Sequence, residues 1–292
     1  MRNLPVVALV KVSRIARDGG RVMLTLAAPS ANEIEGMKFK DIFREERHFC
    51  NHLFRLLCYQ KENGGKDSGL GQFLSLLDLP INISVKTICA AEVYTEVAVF
   101  RDFYYYHPNR QEFLADLYDT FLPMAREQYS GKIANPTPIH DLLPQLGSIH
   151  PRDFSKHLEN TEDNKLFYRE FSALFNAKPD FLLICDGVML WLEVKFWSSF
   201  EYKQLRCTQN IADLCSSDLF VSIFANQPNH LIKMGTKRHI HARRDGLFID
   251  WADVAQIAEK LLPCGTDNYT TQSLKVLVEM DTKKANQDRN AQ

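Results

Sequence analysis

The spacing of hydrophobic residues changes several times along this chain, and each change marks an element. Within residues 4–27, the β-rich runs LPVVALVKVSRI and RVMLTLAA flank ARDGG, which predicts a hairpin closed at Asp-Gly. From 38 to 60 apolar residues (Phe39, Ile42, Phe43, Phe49, Cys50, Leu53, Leu56, Leu57) recur three and four apart, the period of an amphipathic helix. ENGGKDSGLG, 62–71, is a polar, glycine-rich break. Residues 72–164 are mixed: apolar FLSLLDLPINISV, aromatic VAVFRDFYYY, a helical pattern from near Asn109, and a proline-rich connector, NPTPIHDLLP. FLLIC and VMLWLEV then read as strands, 203–215 as a helix, LFVSIFA (219–225) as a strand, and 246–262 as a strand followed by a helix. The last dozen residues, 281–292, have the composition of a disordered tail.

The two strands around Asp186-Gly187 carry more information than the rest. A two-residue loop of that type favours a type I′ turn and fixes the register. Cys185 then pairs with Val188, Leu183 with Leu190 and Phe181 with Leu192, and one further step puts Asp180 opposite Glu193. Directly opposed residues share a face with Cβ atoms about 5 Å apart. Lys195, two residues beyond Glu193, shares that face as well. Both faces of the hairpin are apolar nearer the turn, so it belongs in the covered middle of a sheet. Charges placed there are costly unless paired, hydrogen-bonded or bound to a metal. Two carboxylates at that separation repel, and a hard divalent cation with a preference for oxygen ligands, Mg2+ or Mn2+, relieves the repulsion.

Composition narrows the setting. The chain has 292 residues and a formal net charge of −1, so contact with nucleic acid would require a local basic patch. One such stretch is IKMGTKRHIHARRDG, 232–246, with Lys233, Lys237, Arg238, Arg243 and Arg244. Its His239-x-His241 pair has no matching third metal ligand. The seven cysteines (50, 58, 89, 185, 207, 215, 264) are odd in number and contain no CxxC, which suits free thiols in a reducing compartment. The N-terminal apolar run is too short for a signal peptide, and no stretch approaches the 18 apolar residues of a membrane helix. A soluble, cytoplasmic protein with no membrane partner is the expectation.

Pro179-Asp180, twelve residues, then Glu193-Val194-Lys195 resembles the signature of the PD-(D/E)xK nuclease superfamily. The resemblance implies an α/β, restriction-endonuclease-like fold with a central mixed sheet flanked by helices. It implies Mg2+ held by Asp180, Glu193 and the Val194 carbonyl, with Mn2+ able to substitute, and Lys195 serving catalysis. The superfamily often adds a helical glutamate. Glu46 lies inside the apolar arc of the 38–60 helix and fits that role, with Glu170 as a rival. Some branches carry a polar residue on the following helix that touches the metal water or the phosphate; Gln204, Lys203 and Gln209 are the possibilities, and Arg206 on the same helix joins Lys203 as a candidate nucleic-acid contact. The aromatics Phe103 to Tyr106 fit either base stacking or a core.

The expected organisation is an N-terminal hairpin extension (1–37), a nuclease-like core (38–60 and 165–262) and an intervening insertion (61–164). The expected activity is Mg2+-dependent hydrolysis of phosphodiesters, DNA before RNA, by a homodimer or a member of a multi-subunit nuclease system. The alternative is a protein of the same fold that binds nucleic acid or a partner without cutting.

Overall fold

The computed structural model describes residues 15–18, 21–24, 46–146, 149–158, 161–196, 198–224, 227–236, 239, 246–262, 270–275 and 278–279. It separates into two units, Met1–Glu45 and Glu46–Gln292. In the first, β1 (Ile15–Asp18) and β2 (Arg21–Leu24) pair antiparallel with Asp18 opposite Arg21; a hairpin is expected here, but Ala16, Arg17 and Asp18, which the sequence reads as turn, belong to the strand.

The second unit is α/β. In chain order its described elements are α1 (Glu46–Cys58), α2 (Gly69–Leu74), α3 (Val85–Ala90), β3 (Glu92–Thr95), α4 (Val99–Tyr106), α5 (Arg110–Gln128), α6 (Ile139–Leu146), α7 (Glu162–Leu174), β4 (Phe181–Cys185), β5 (Val188–Val194), α8 (Tyr202–Cys215), α9 (Val221–Phe224), β6 (Asn229–Gly235), β7 (Leu247–Asp250) and α10 (Trp251–Leu261). The five strands form one mixed sheet in the order β3-β4-β5-β6-β7. The first two pairings are antiparallel and the last two parallel.

The β4–β5 register matches the sequence expectation at every rung, from Cys185↔Val188 to Phe181↔Leu192. Asp186 and Gly187 have φ values of 52° and 72°, the left-handed pair that a type I′ turn requires. The hairpin fills the middle of the sheet, with β3 on one side and β6 on the other.

Alternation along the strands gives the sheet two buried faces. On one, Leu182, Met189 and Trp191 join a core with Phe167 and Phe171 of α7 and Cys207, Ile211 and Leu214 of α8. On the other, Phe49 of α1 stacks on Phe196 at 4.9 Å, and Trp251 meets both rings edge-on. The glycine-rich break is tightly packed: a Cβ on Gly69 would come within 1.6 Å of the Leu56 carbonyl oxygen, so α2 lies directly against α1.

Three expectations change. Residues 61–164 do not stand apart as an insertion: β3 forms an edge of the central sheet, and Phe113, Leu117 and Phe121 of α5 belong to the same core as α7 and α8. Residues 219–225 are not a strand. A 3-10 turn spans Asp218–Phe220 and α9 follows it, while β6, Asn229–Gly235, occupies the sheet position beside β5. A short apolar run suits either secondary structure, and the neighbouring segment won the place. Finally, residues 232–235 of the basic stretch are the end of strand β6, which takes Lys233 out of the patch and into the sheet. The 38–60 helix is described from Glu46 onward, and the tail 281–292 lies outside the described residues.

Candidate active site

The charged residues collect at one end of the sheet, where parallel strands β5, β6 and β7 finish and β4 begins. In open α/β sheets, ligands bind outside the carboxyl ends of the strands. The register shows which residues meet. Glu193 lies opposite Lys233 of β6, and Lys233 opposite Phe248 of β7. One rung later the Lys195 N–H donates to the Met234 carbonyl at 2.8 Å, and Gly235 lies opposite Asp250. Glu193, Lys195, Lys233 and Asp250 therefore project from the same face, the face that α8 covers. Glu193 is 1% exposed, and Lys195 and Lys233 are 6% exposed.

Each is held by identifiable contacts. Gln204 Nε2 donates to Glu193 Oε2 at 2.7 Å, and Thr208 Oγ1 donates to Glu193 Oε1 at 2.5 Å. Gln204 and Thr208 are four apart on α8, one above the other on one helix face. The Lys195 backbone is anchored on both sides, its N–H by Met234 and its carbonyl by the indole N–H of Trp251 at 3.3 Å. Asp250 caps α10, accepting the Ala252 N–H at 2.9 Å.

Asp180 sits just beyond the last β4–β5 rung, where its Oδ2 accepts the Val194 N–H at 2.7 Å. Proline explains that bond. The next rung would bring Val194 opposite Pro179, which has no N–H to contribute to a ladder. The Asp180 side chain takes the Val194 donor, and the Val194 carbonyl, pointing to the same side of the strand, meets no backbone donor from Pro179. Two carboxylates and one carbonyl oxygen thus lie within one residue of each other along the two strands.

That donor set fits Mg2+ or Mn2+, which favour oxygen ligands and retain waters. Among the described residues, no group of three or more His, Cys, Asp or Glu side chains is placed to hold a metal, so a carbonyl and waters would have to complete the shell. The structure also revises the electrostatics expected from the hairpin alone. Asp180 and Glu193 have two lysines for neighbours, so part of their repulsion is balanced from within the protein.

Of the three polar candidates on α8, Gln204 is the one that bonds Glu193. Gln209 turns to Asp213 and Lys203 is exposed to solvent. Arg206 points inward instead of presenting itself to a phosphate. Its guanidinium is 14% exposed, bonds Glu170 of α7 at 3.0 Å and the Tyr129 hydroxyl at 2.6 Å, and covers the Tyr129 ring at 4.8 Å. Glu170 also binds Arg169 at 3.2 Å, so the rival helical glutamate is clasped by two arginines. The buried Cys207 thiol feels both glutamates: burial above all, then the charges of Glu170 and Glu193, push it up to about 12.

The Glu46 side chain and Lys237, Arg238, His241, Arg243 and Arg244 lie outside the described residues. His239 is no metal ligand here: Nδ1 accepts the Thr236 N–H at 3.0 Å and Nε2 faces the Ser198 carbonyl at 2.8 Å. Its ring lies over Gly235, where a Cβ would approach Nδ1 to 2.9 Å. The aromatic run divides: Phe103 and Tyr104 pack against the core, while Tyr105 and Tyr106 are exposed. Thr208 and Asp250 escaped the sequence reading as site residues, and Lys233 was placed in the basic stretch, not beside Glu193. Thr208 had a signal, its four-residue spacing from Gln204; Lys233 and Asp250 join the site only through parallel pairing.

No protein-family model, curated protein or solved structure matches this chain. No helix among the described residues is long and apolar enough to cross a membrane.

Proposed function

We propose that this protein is a Mg2+-dependent nuclease with a restriction-endonuclease-like core, hydrolysing phosphodiesters, DNA before RNA. One observation carries the proposal: Asp180, the Val194 backbone, Glu193 and Lys195 converge at the end of a central hairpin, with Glu193 buried and gripped on both oxygens. Asp180, Glu193 and the Val194 carbonyl would hold the ion, which supplies charge neutralisation on a phosphate oxygen and a more acidic bound water. Gln204 and Thr208 fix the Glu193 carboxylate so that little reorganisation is needed when a substrate arrives. Lys195, its backbone locked between β6 and α10, offers an ammonium to the negative charge that develops on the phosphate. Burial of Glu193 and Lys195 strengthens these interactions.

A second reading, a nucleic-acid-binding protein that does not cut, draws on Lys233, which already places a cation beside Glu193. One experiment separates the two. Parent protein, Glu193→Gln and Lys195→Ala are incubated with circular and linear, single- and double-stranded DNA and with RNA, in Mg2+, Mn2+ or chelator. The parent should cut with metal only, and each variant should lose about 10²–10³ in rate. Mn2+ should raise the melting temperature of the parent and of Lys195→Ala, but not of Glu193→Gln. No cleavage of any substrate by the parent, or full activity in Glu193→Gln, would overturn the proposal.

A further inference from the structure

We propose a phosphate-binding cleft for a nucleic-acid strand, lined by Arg152, Lys156 and Arg169 and separate from the end of the sheet; the inference rests on the nuclease reading for its partner. The cleft is an open cavity of about 530 Å3 between the 3-10 turn Pro151–Lys156 and α7. Three cationic side chains meet around it, and among the described lining residues Asp153 is the one acid. Asp153 is already neutralised: it binds Arg152 Nε at 3.2 Å and Lys156 Nζ at 2.5 Å. Those bonds hold its carboxyl below the usual range. They also restrain two long side chains while leaving both largely exposed, at 55% and 71%. Arg169 is likewise half exposed and is restrained by Glu170 and the Tyr129 hydroxyl.

Counting the neighbouring Glu170–Arg206 pair, Arg152, Lys156, Arg169 and Arg206 face Asp153 and Glu170, an excess of two positive charges in a protein whose net charge is −1. His150, next to the turn in sequence, has its affinity for a proton lowered by burial and then by Arg152, with Asp153 opposing. An accessible, restrained group of cations is the local patch that a polyanion needs.

The cleft connects with the site through two helices. Glu170 of α7 holds Arg169 on the cleft side and Arg206 on the α8 side. Two residues on either side of Arg206, Gln204 and Thr208 hold Glu193. A strand with one phosphate at Lys195 would lay a flanking segment towards Arg169.

The test uses the full chain with Arg152→Ala/Lys156→Ala, and Arg152→Lys/Lys156→Arg as the charge-keeping control. Binding of a labelled single strand and of a duplex is measured in chelator across a salt titration. Loss of two phosphate contacts should reduce the slope of log K against log[salt] by about 1.4 for the single strand and about 1.8 for the duplex. The control should keep the parent slope. Hydrolysis of bis(p-nitrophenyl) phosphate with Mn2+, a substrate too small to reach the cleft, should be unchanged in the alanine variant. An unchanged slope in that variant overturns the cleft even if the parent cuts DNA. A reduced slope with no hydrolysis by the parent keeps the cleft and sinks the nuclease reading. Heat stabilisation by inorganic phosphate, with no change in the DNA slope, would assign the cleft to free phosphate and also overturn the proposal.

Discussion

Two buried glutamates lie close to Cys207 and are balanced in different ways. Glu170 is clasped by Arg169 and Arg206 and touched by the Tyr129 hydroxyl. Glu193 is gripped by the neutral donors of Gln204 and Thr208, with Lys233 in register beside it. A guanidinium is planar, permanently charged and suited to fixed pairing, whereas an ammonium is a compact point charge on a flexible stem. The Glu170 arrangement is a clasp joining α7 to α8. The Glu193 arrangement fixes a carboxylate while leaving its charge balance adjustable, as a site for an incoming cation or phosphate requires.

The largest expected effect tests the clasp. Glu170→Ala should destabilise the protein by about 3 kcal/mol, because it strands the mostly buried Arg206 guanidinium. Adding Arg206→Met should recover much of that loss, since no unpaired charge remains. Chemical denaturation of both variants decides the matter; a double variant no better than the single one would mean that Glu170 is needed for something other than Arg206.

A smaller effect should appear at the adjustable side. Lys233→Met should cost about 2 kcal/mol in chelator, and Mn2+ should then raise the melting temperature more than it does in the parent, because the ion takes over the role of the ammonium. An equal or smaller Mn2+ shift would make Lys233 an ordinary structural lysine and erase the contrast between the two glutamates.

The smallest concerns the grip itself. Thr208→Val removes the hydroxyl that donates to Glu193 Oε1 and should cost about 1–2 kcal/mol, whereas Thr208→Ser should stay close to the parent. If valine and serine behave alike in thermal unfolding, the hydroxyl does not support the carboxylate.

Legibility followed sequence separation. The two-residue loop Asp186-Gly187 set five rungs and the position of Asp180 relative to Glu193, so the open end of the hairpin could be read from local chemistry alone. Gln204 was within reach because α8 follows β5 directly. Lys233 was not, because pairing of β5 with β6 crosses a long connection that no local rule specifies. Strand β6 also disguised itself: NHLIKMG keeps His230 and Lys233 among its apolar residues, whereas the helical LFVSIF just before it looks more like a strand than β6 does. The four-residue β3, Glu92–Thr95, has a polar, exposed pattern because it lies at the sheet edge, and it gave no core signal. Arg206 was legible as a cation but not as a paired one, since its partners Glu170 and Tyr129 come from other helices.

The β4–β5 hairpin and the β5–β6 pairing also differ in when they can form. A hairpin with a two-residue loop closes within about 1–10 μs, whereas a parallel pairing must first close the long connection between its strands. A chain emerging from its ribosome can therefore fold Asp180 and Glu193 into place before Lys233 and Asp250 have been synthesised. The carboxylates and Lys195 come first and Lys233 later, so the pairing that sets Lys233 beside Glu193 waits until β6 has docked. The sheet is in that sense its own maturation step, and a chain truncated before residue 229 would carry the most recognisable motif of the sequence without the Lys233 and Asp250 that parallel pairing brings to it.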